Sequence, residues 1–182
     1  MYLLFLDGGS RGNPGPGGAD SVIVQAHIQT HASCVIWVSR MAYSSADTTN
    51  LAEYKGLVHS LRQEKISGYS PLYLAEESAL VPLQLRTRHS PRKIYLVRLF
   101  QEARTIANNL DVSIWGHHYR TYNKMADRLA NSAIATGPSI QVHPSQTKVL
   151  SRRLRPSMTM MSTTGWSLRP FTTMMSTTRW NQ

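Results

Sequence analysis

Residues 1–18 read MYLLFLDGGSRGNPGPGG, and this stretch governs the reading of the rest of the chain. An apolar, strand-like run ends in one acid, Asp7, and is followed at once by glycines and prolines. A carboxylate in that position is held by a regular strand yet opens onto backbone with almost no side chains, so a bulky polyanion can approach it. The combination suits a metal ion and a phosphodiester. A lone Asp-Gly step is by itself an ordinary hairpin turn, and it is the acids further along that change its meaning.

Three more acidic landmarks follow. Glu53 lies in TTNLAEYKGLVHSLR, residues 48–62, where Leu51, Tyr54, Leu57, Val58 and Leu61 recur at helical spacing and Asn50 stands as a helix-start residue. Glu76 and Glu77 end PLYLAEESAL, residues 71–80, a short apolar run that stops at charge. Asp127 lies in NKMADRLAN, residues 123–131, a helical pattern entered from the strand-like VSIW of 112–115. Any one of these acids is an ordinary solvated charge. Four of them, each at a strand end or in the first turns of a helix, form a pattern that solvation does not explain.

The elements read in order as strands at 2–7, 21–28 and 32–40, a helix at 50–65, a strand at 71–75, helices at 78–86 and 91–110, a strand at 111–116 and a helix at 123–136. Three strands joined by short loops suggest an antiparallel meander, and the strand-helix alternation after them suggests parallel additions, so the class is a mixed α/β sheet. The chain has 182 residues, enough to bury a core. Its single cysteine, Cys34, rules out an internal disulfide framework and a cysteine-rich zinc site, and it reads as a buried strand residue suited to a reducing compartment. No apolar run approaches bilayer-spanning length. MYLLFL lacks a basic lead and a small-residue cleavage site, which argues against a secretory leader.

The formal net charge is +10. Residues 1–136 carry fourteen Lys/Arg against ten Asp/Glu, and residues 137–182 carry six Lys/Arg and no acid, so both parts are basic. Arg86, Arg88, Arg92, Lys93 and Arg98 cluster just after the third acid; they suit either a phosphate backbone or the solvated face of the helical stripe that runs from Ile94 to Leu110. From Gly137 the character changes. RPSMTMMSTTGWSL (155–168) and RPFTTMMSTTRWNQ (169–182) are two copies of one polar unit, too few and too polar to stack into a core, so 137–182 is expected to be a disordered basic tail.

These blocks together resemble type 1 ribonuclease H domains, in particular the reverse-transcriptase-associated branch carried by retroelements. The resemblance rests on FLDGGSRGNPGPGG at 5–18, on T-x-N-x-x-E ending at Glu53, on a strand followed by an acid and Ser78, and on H117-x-x-R-x-x-N-x-x-A-D127, all in order over about residues 1–136. It implies a five-stranded mixed sheet flanked by helices, and an enzyme that hydrolyses the RNA strand of RNA/DNA hybrids with two Mg2+ ions, Mn2+ being an alternative. Asp7, Glu53, Glu77 and Asp127 become the metal ligands. His117, rather than its neighbour His118, assists proton transfer or product release. Gly8, Gly9, Asn13, Thr49, Asn50 and Asn123 take the substrate side, where contacts to 2′-hydroxyls tell RNA from DNA. Thr49 stands where many relatives carry a second asparagine, and it keeps a hydroxyl but loses the amide fork. Hard oxygen donors with few histidines agree with these ions. The partner implied is the hybrid itself, with no membrane, no small-molecule cofactor, a monomeric state and an intracellular setting, cytoplasmic or nuclear. The chain departs from the family pattern at the third acid, where Gly-Asp-Ser is replaced by Glu76-Glu77-Ser78. An active nuclease with a remodelled ligand, a slow or inactive domain that still binds hybrids, and a decaying retroelement fragment are the three readings of that departure.

Overall fold

The computed structural model describes residues 1–27, 32–76, 78, 80–110, 112–117 and 139–143. Its elements are β1 (Tyr2–Ser10), β2 (Gly15–His27), β3 (Ala32–Asp47), α1 (Thr49–Ser67), β4 (Leu72–Glu76), α2 (Leu80–Thr87), α3 (Ile94–Asn109), β5 (Val112–His117) and β6 (Ile140–Val142). They form a sheet in the order β5-β4-β1-β2-β3-β6. β1, β2 and β3 are the expected antiparallel meander, and β4 and β5 add in parallel on the other side of β1. The mixed α/β class holds.

β1 is central, and its sequence shows why. Leu3, Leu4, Phe5 and Leu6 are all at most 2% exposed, so the strand is buried on both faces and reads as a continuous apolar run. Leu4 and Leu6 join Ile23 and Trp37 in one cluster, while Leu3 and Phe5 join Val22, Val24 and Val38 in a second on the opposite face. Among the described residues, the helices contribute only to the first cluster. α1 brings Tyr54, Leu57, Val58 and Leu61 to it, and α3 brings Leu96, Phe100, Ala103, Ile106 and Ala107. The helix expected at 123–136 lies outside the described residues.

The structure corrects several expectations. The glycine-rich stretch is mostly strand, since Gly8 pairs with Ala19, Gly9 with Gly18 and Ser10 with Gly17, which leaves only residues 11–14 between β1 and β2. Glycine erases the alternation of side chains but keeps the backbone ladder, so the pairing is invisible to a pattern reading. The helix-start residue is Thr48, not Asn50: the Thr48 hydroxyl accepts the Leu51 N–H at 3.3 Å. At the other end Gly68 takes φ 69°, the left-handed C-terminal stop.

Cys34 is exposed, not buried. It lies opposite Gln25 near the end of the β2–β3 hairpin, where a polar partner supplies little to bury it. Finally, among the described residues a sixth strand joins the expected five. Ile140–Val142 pairs antiparallel with Val38–Arg40, Ile140 packs on the second cluster, and the Ala42 N–H donates to Ser139 Oγ at 3.0 Å. The stretch read as the start of a disordered tail therefore contributes an edge strand. Three residues on an open sheet edge need no periodic pattern of their own, because the edge of β3 supplies the backbone partners.

Candidate active site

The parallel pairing of β1, β4 and β5 stops on one level, where Leu6 pairs with Glu76 and Glu76 with His117, while β1 runs on to Ser10 against β2 alone. Crevices at the carboxyl ends of parallel strands are where α/β folds collect ligand-binding groups. Asp7, the residue after Leu6, stands at that rim, half-buried, with one carboxylate oxygen accepting the Gly8 N–H at 2.9 Å. Glu53 arrives from α1 and is 7% exposed.

What lets α1 approach β1 here is Gly8, the residue after Asp7. A Cβ at that position would lie 2.6 Å from Glu53 N, 2.7 Å from Glu53 Cα and 2.9 Å from Ala52 C. Only glycine lets the first turn of α1 come this close to the end of β1. The missing side chain at Gly8 is thus filled by the protein's own helix, whereas a Cβ at Gly9 would meet nothing within 4 Å. Of the two glycines taken as open to substrate, Gly9 alone presents open space. A second close approach lies one turn further along α1, where a Cβ on Gly56 would lie 2.6 Å from the Cβ of Ala19.

The turn between β1 and β2 is tied to the start of α1. Ser10 Oγ contacts Gly12 O at 2.6 Å and Thr49 Oγ1 at 3.3 Å, and the Thr49 N–H donates to Asn13 Oδ1 at 3.4 Å. Asn13 and Thr49 therefore meet at one mouth, with Asn50 the next residue along α1. The Asn13 carbonyl oxygen and the Thr49 backbone are already engaged there, which leaves the Asn13 amide –NH2 to donate outward.

Two features of the site region were not legible in the sequence. Lys55 Nζ donates to both carboxylate oxygens of the buried Asp47, each at 2.7 Å, and lies 4.9 Å from the ring centroid of Tyr43. This clasp joins the end of β3 to α1 beside the glycine turn, and the Asp47 side chain fills the space where a Gly17 Cβ would go. Burial, with the charges of Asp47 and then Asp20, pushes the Tyr43 hydroxyl well above its ordinary range. The second feature is Asp20, 1% exposed, which pairs directly with Asp7 on one side and Arg40 on the other.

The remaining candidates divide as follows. His117 is described as backbone at the end of β5. Glu77, His118, Asn123 and Asp127 lie outside the described residues. Among the described residues, no group of three or more His, Cys, Asp or Glu side chains forms a metal cluster. The donors that are placed, Asp7 and Glu53, are hard carboxylates of the kind Mg2+ and Mn2+ take. The basic residues Arg86, Arg88, Arg92, Lys93 and Arg98 are all exposed along α2, α3 and the loop between them.

A family model described as reverse transcriptase-like matches residues 5–133. The chain belongs to that family. Residues 5–133 form a domain of ribonuclease H type, as relatives and solved structures agree. A bifunctional protein of Mycobacterium tuberculosis is 35% identical over 132 residues, covering 72% of this chain and 35% of that protein. A ribonuclease HI of Halobacterium salinarum is 32% identical over 130 residues, covering 71% of this chain and 62% of the relative. The chain thus spans about a third of the mycobacterial protein's length and under two thirds of the haloarchaeal one's. Among solved structures, the N-terminal ribonuclease H domain of the mycobacterial protein superposes with a TM-score of 0.65 at 33% identity, over 74% of this chain and 93% of that one. A ribonuclease H1 called LC11, solved in complex with an RNA/DNA hybrid, superposes with a TM-score of 0.64 at 26% identity, over 74% and 97%.

Proposed function

We propose that this ribonuclease H type domain is a metal-dependent endonuclease that hydrolyses the RNA strand of RNA/DNA hybrids, and that it descends from a retroelement. The observation that supports the reading is the close approach at Gly8, which packs the Glu53 backbone of α1 against β1 at the residue after Asp7, near the carboxyl ends of the parallel strands. Hybrid as substrate is supported by the LC11 relative, solved with an RNA/DNA hybrid, and by the haloarchaeal relative named as a ribonuclease HI.

In this reading Asp7, Glu53, Glu77 and Asp127 hold two divalent ions. When bound, such ions neutralise the carboxylates, activate a water and stabilise the leaving oxygen of the scissile phosphate. The chain's own groups do the rest. Asn13 and Asn50, at the mouth of the glycine turn, reach the minor groove, where the 2′-hydroxyl marks the RNA strand. The exposed arginines and lysine of α2 and α3 grip phosphates, which makes binding salt-dependent. His117, at the end of β5, moves a proton or eases product release.

A binding module without cleavage is the second reading, favoured by the Glu76-Glu77-Ser78 sequence at the third acid. Hybrid cleavage by the full chain in Mg2+ and in Mn2+ separates the two. Cleavage of the RNA strand that spares duplex DNA, and that Asp7→Asn abolishes, supports the nuclease. Hybrid binding with no cleavage in either metal replaces it by the binding module.

A further inference from the structure

Four strands contribute one row of side chains across the sheet face opposite α1. Asp7 on β1 pairs with Asp20 on β2, Asp20 pairs with Arg40 on β3, and Arg40 pairs with Ile140 on β6. Directly paired residues share a face, with their Cβ atoms about 4.5–5.5 Å apart. The face is fixed by their neighbours, since Phe5, Val22 and Val38, two residues away along each strand, all belong to the second apolar cluster.

Asp20 is the odd member of this row. It is 1% exposed on a face that is otherwise apolar next to it, and a carboxylate buried that deeply needs a cationic neighbour. Arg40 is the cation in register. On Arg40's far side stands Ile140, which offers no charge, so among its paired neighbours the carboxylate lies on the inner side only. Asp20 is thereby bounded by a cation on one side and, on the other, by Asp7 of β1. Nothing in the mechanism above uses it.

We propose that Asp20 is a positioning residue for cation binding: its negative charge beside Asp7 tightens the hold of the β1 end on divalent ions, and Arg40 opposes that effect. The inference rests on the nuclease reading, in which Asp7 is a metal ligand. In a partly buried setting a unit charge one strand away acts with little screening, and its effect on a doubly charged ion is twice that on a monovalent one. Removing the acid and removing the base must therefore act with opposite sign.

The test uses the full chain and Mn2+ alone, titrated calorimetrically without substrate, for wild type, Asp20→Asn and Arg40→Gln. Mn2+ binding is expected to weaken at least about fivefold in Asp20→Asn and to tighten at least about twofold in Arg40→Gln. The Mg2+ concentration for half-maximal hybrid cleavage should move in the same two directions. A purely structural ion pair predicts instead that both variants lose melting temperature and neither shifts Mn2+ affinity, and that result overturns the proposal. So does a shift of the same sign in both variants. Should Asp20→Asn not fold, Asp20→Ser and the half-exposed Arg40→Gln decide the matter. Cleavage by the wild type with unmoved metal affinities sinks this inference and leaves the nuclease standing. Opposite shifts in a chain that cuts nothing support the inference and remove the nuclease. A wild type that neither binds Mn2+ nor cleaves removes both.

Discussion

Replacing Gly8 by alanine tests the contact on which the site is built. The new Cβ would meet three backbone atoms of Ala52 and Glu53 at 2.6–2.9 Å, and backbone cannot rotate away as a side chain can. Restoring an ordinary contact of 3.4 Å requires β1 and α1 to separate by about 0.8 Å. Gly8 is not among the residues at positive φ, so the strain is purely steric. Overpacking of this kind costs about 1–3 kcal/mol of stability. The functional loss should be larger, because catalytic groups tolerate about 0.5 Å of displacement and a 1 Å error costs on the order of 100-fold. Urea denaturation and single-turnover hybrid cleavage, with enzyme in excess, measure the two effects separately. Gly9→Ala is the stability control, since its Cβ meets nothing within 4 Å and should change stability by no more than about 0.5 kcal/mol. A Gly8→Ala protein as stable and as active as wild type would refute the claim that this contact sets how closely α1 may approach β1 beside Asp7.

Glu64 and the C-terminal strand give two further tests. Glu64 is fully buried in α1, its carboxylate oxygens have no hydrogen-bond partner among the described residues, and burial raises its pKa from 4.5 to about 8. The folded state holds this proton more tightly than the unfolded chain does, so stability should fall as pH rises from about 4.5 to about 8 and level off above. Glu64→Gln should remove that decline and be more stable than wild type at pH 8 by at least about 2 kcal/mol relative to the difference at pH 5, as urea titrations at both pH values would show. A chain ending at residue 143 keeps β6 and should melt like the full chain, whereas one ending at 136 loses the Ile140 packing and the Ser139 bond and should melt several degrees lower. Equal melting temperatures for the two truncations would mean that β6 adds nothing to the fold.

Much of this protein was legible because local chemistry and fold agreed. The apolar run before Asp7 read as a strand, the 3.6-residue stripe from Leu51 to Leu61 read as a helix, and the strand-helix alternation after Ser67 implied parallel strands. The ordered acids pointed to the ribonuclease H type before any coordinates did. Where the reading failed, the deciding partner was remote in sequence. Cys34 looks buried within its own apolar run, but it pairs with Gln25 at a hairpin end. Residues 140–142 look like tail, but the open edge of β3 takes them up as a strand.

The sequence by itself determined the class of the fold and singled out Asp7 and Glu53 as candidates, because periodicity, chain punctuation and residue type are properties of neighbours along the chain. Only the tertiary structure decided that Gly8 is glycine for the sake of a helix forty-five residues away, that Lys55 clasps Asp47, and that Asp20 lies between Asp7 and Arg40. Each of these depends on strand register and helix approach. Those are fixed by close packing of the whole core, in which a shift of one residue would carry every side chain of a strand to the opposite face.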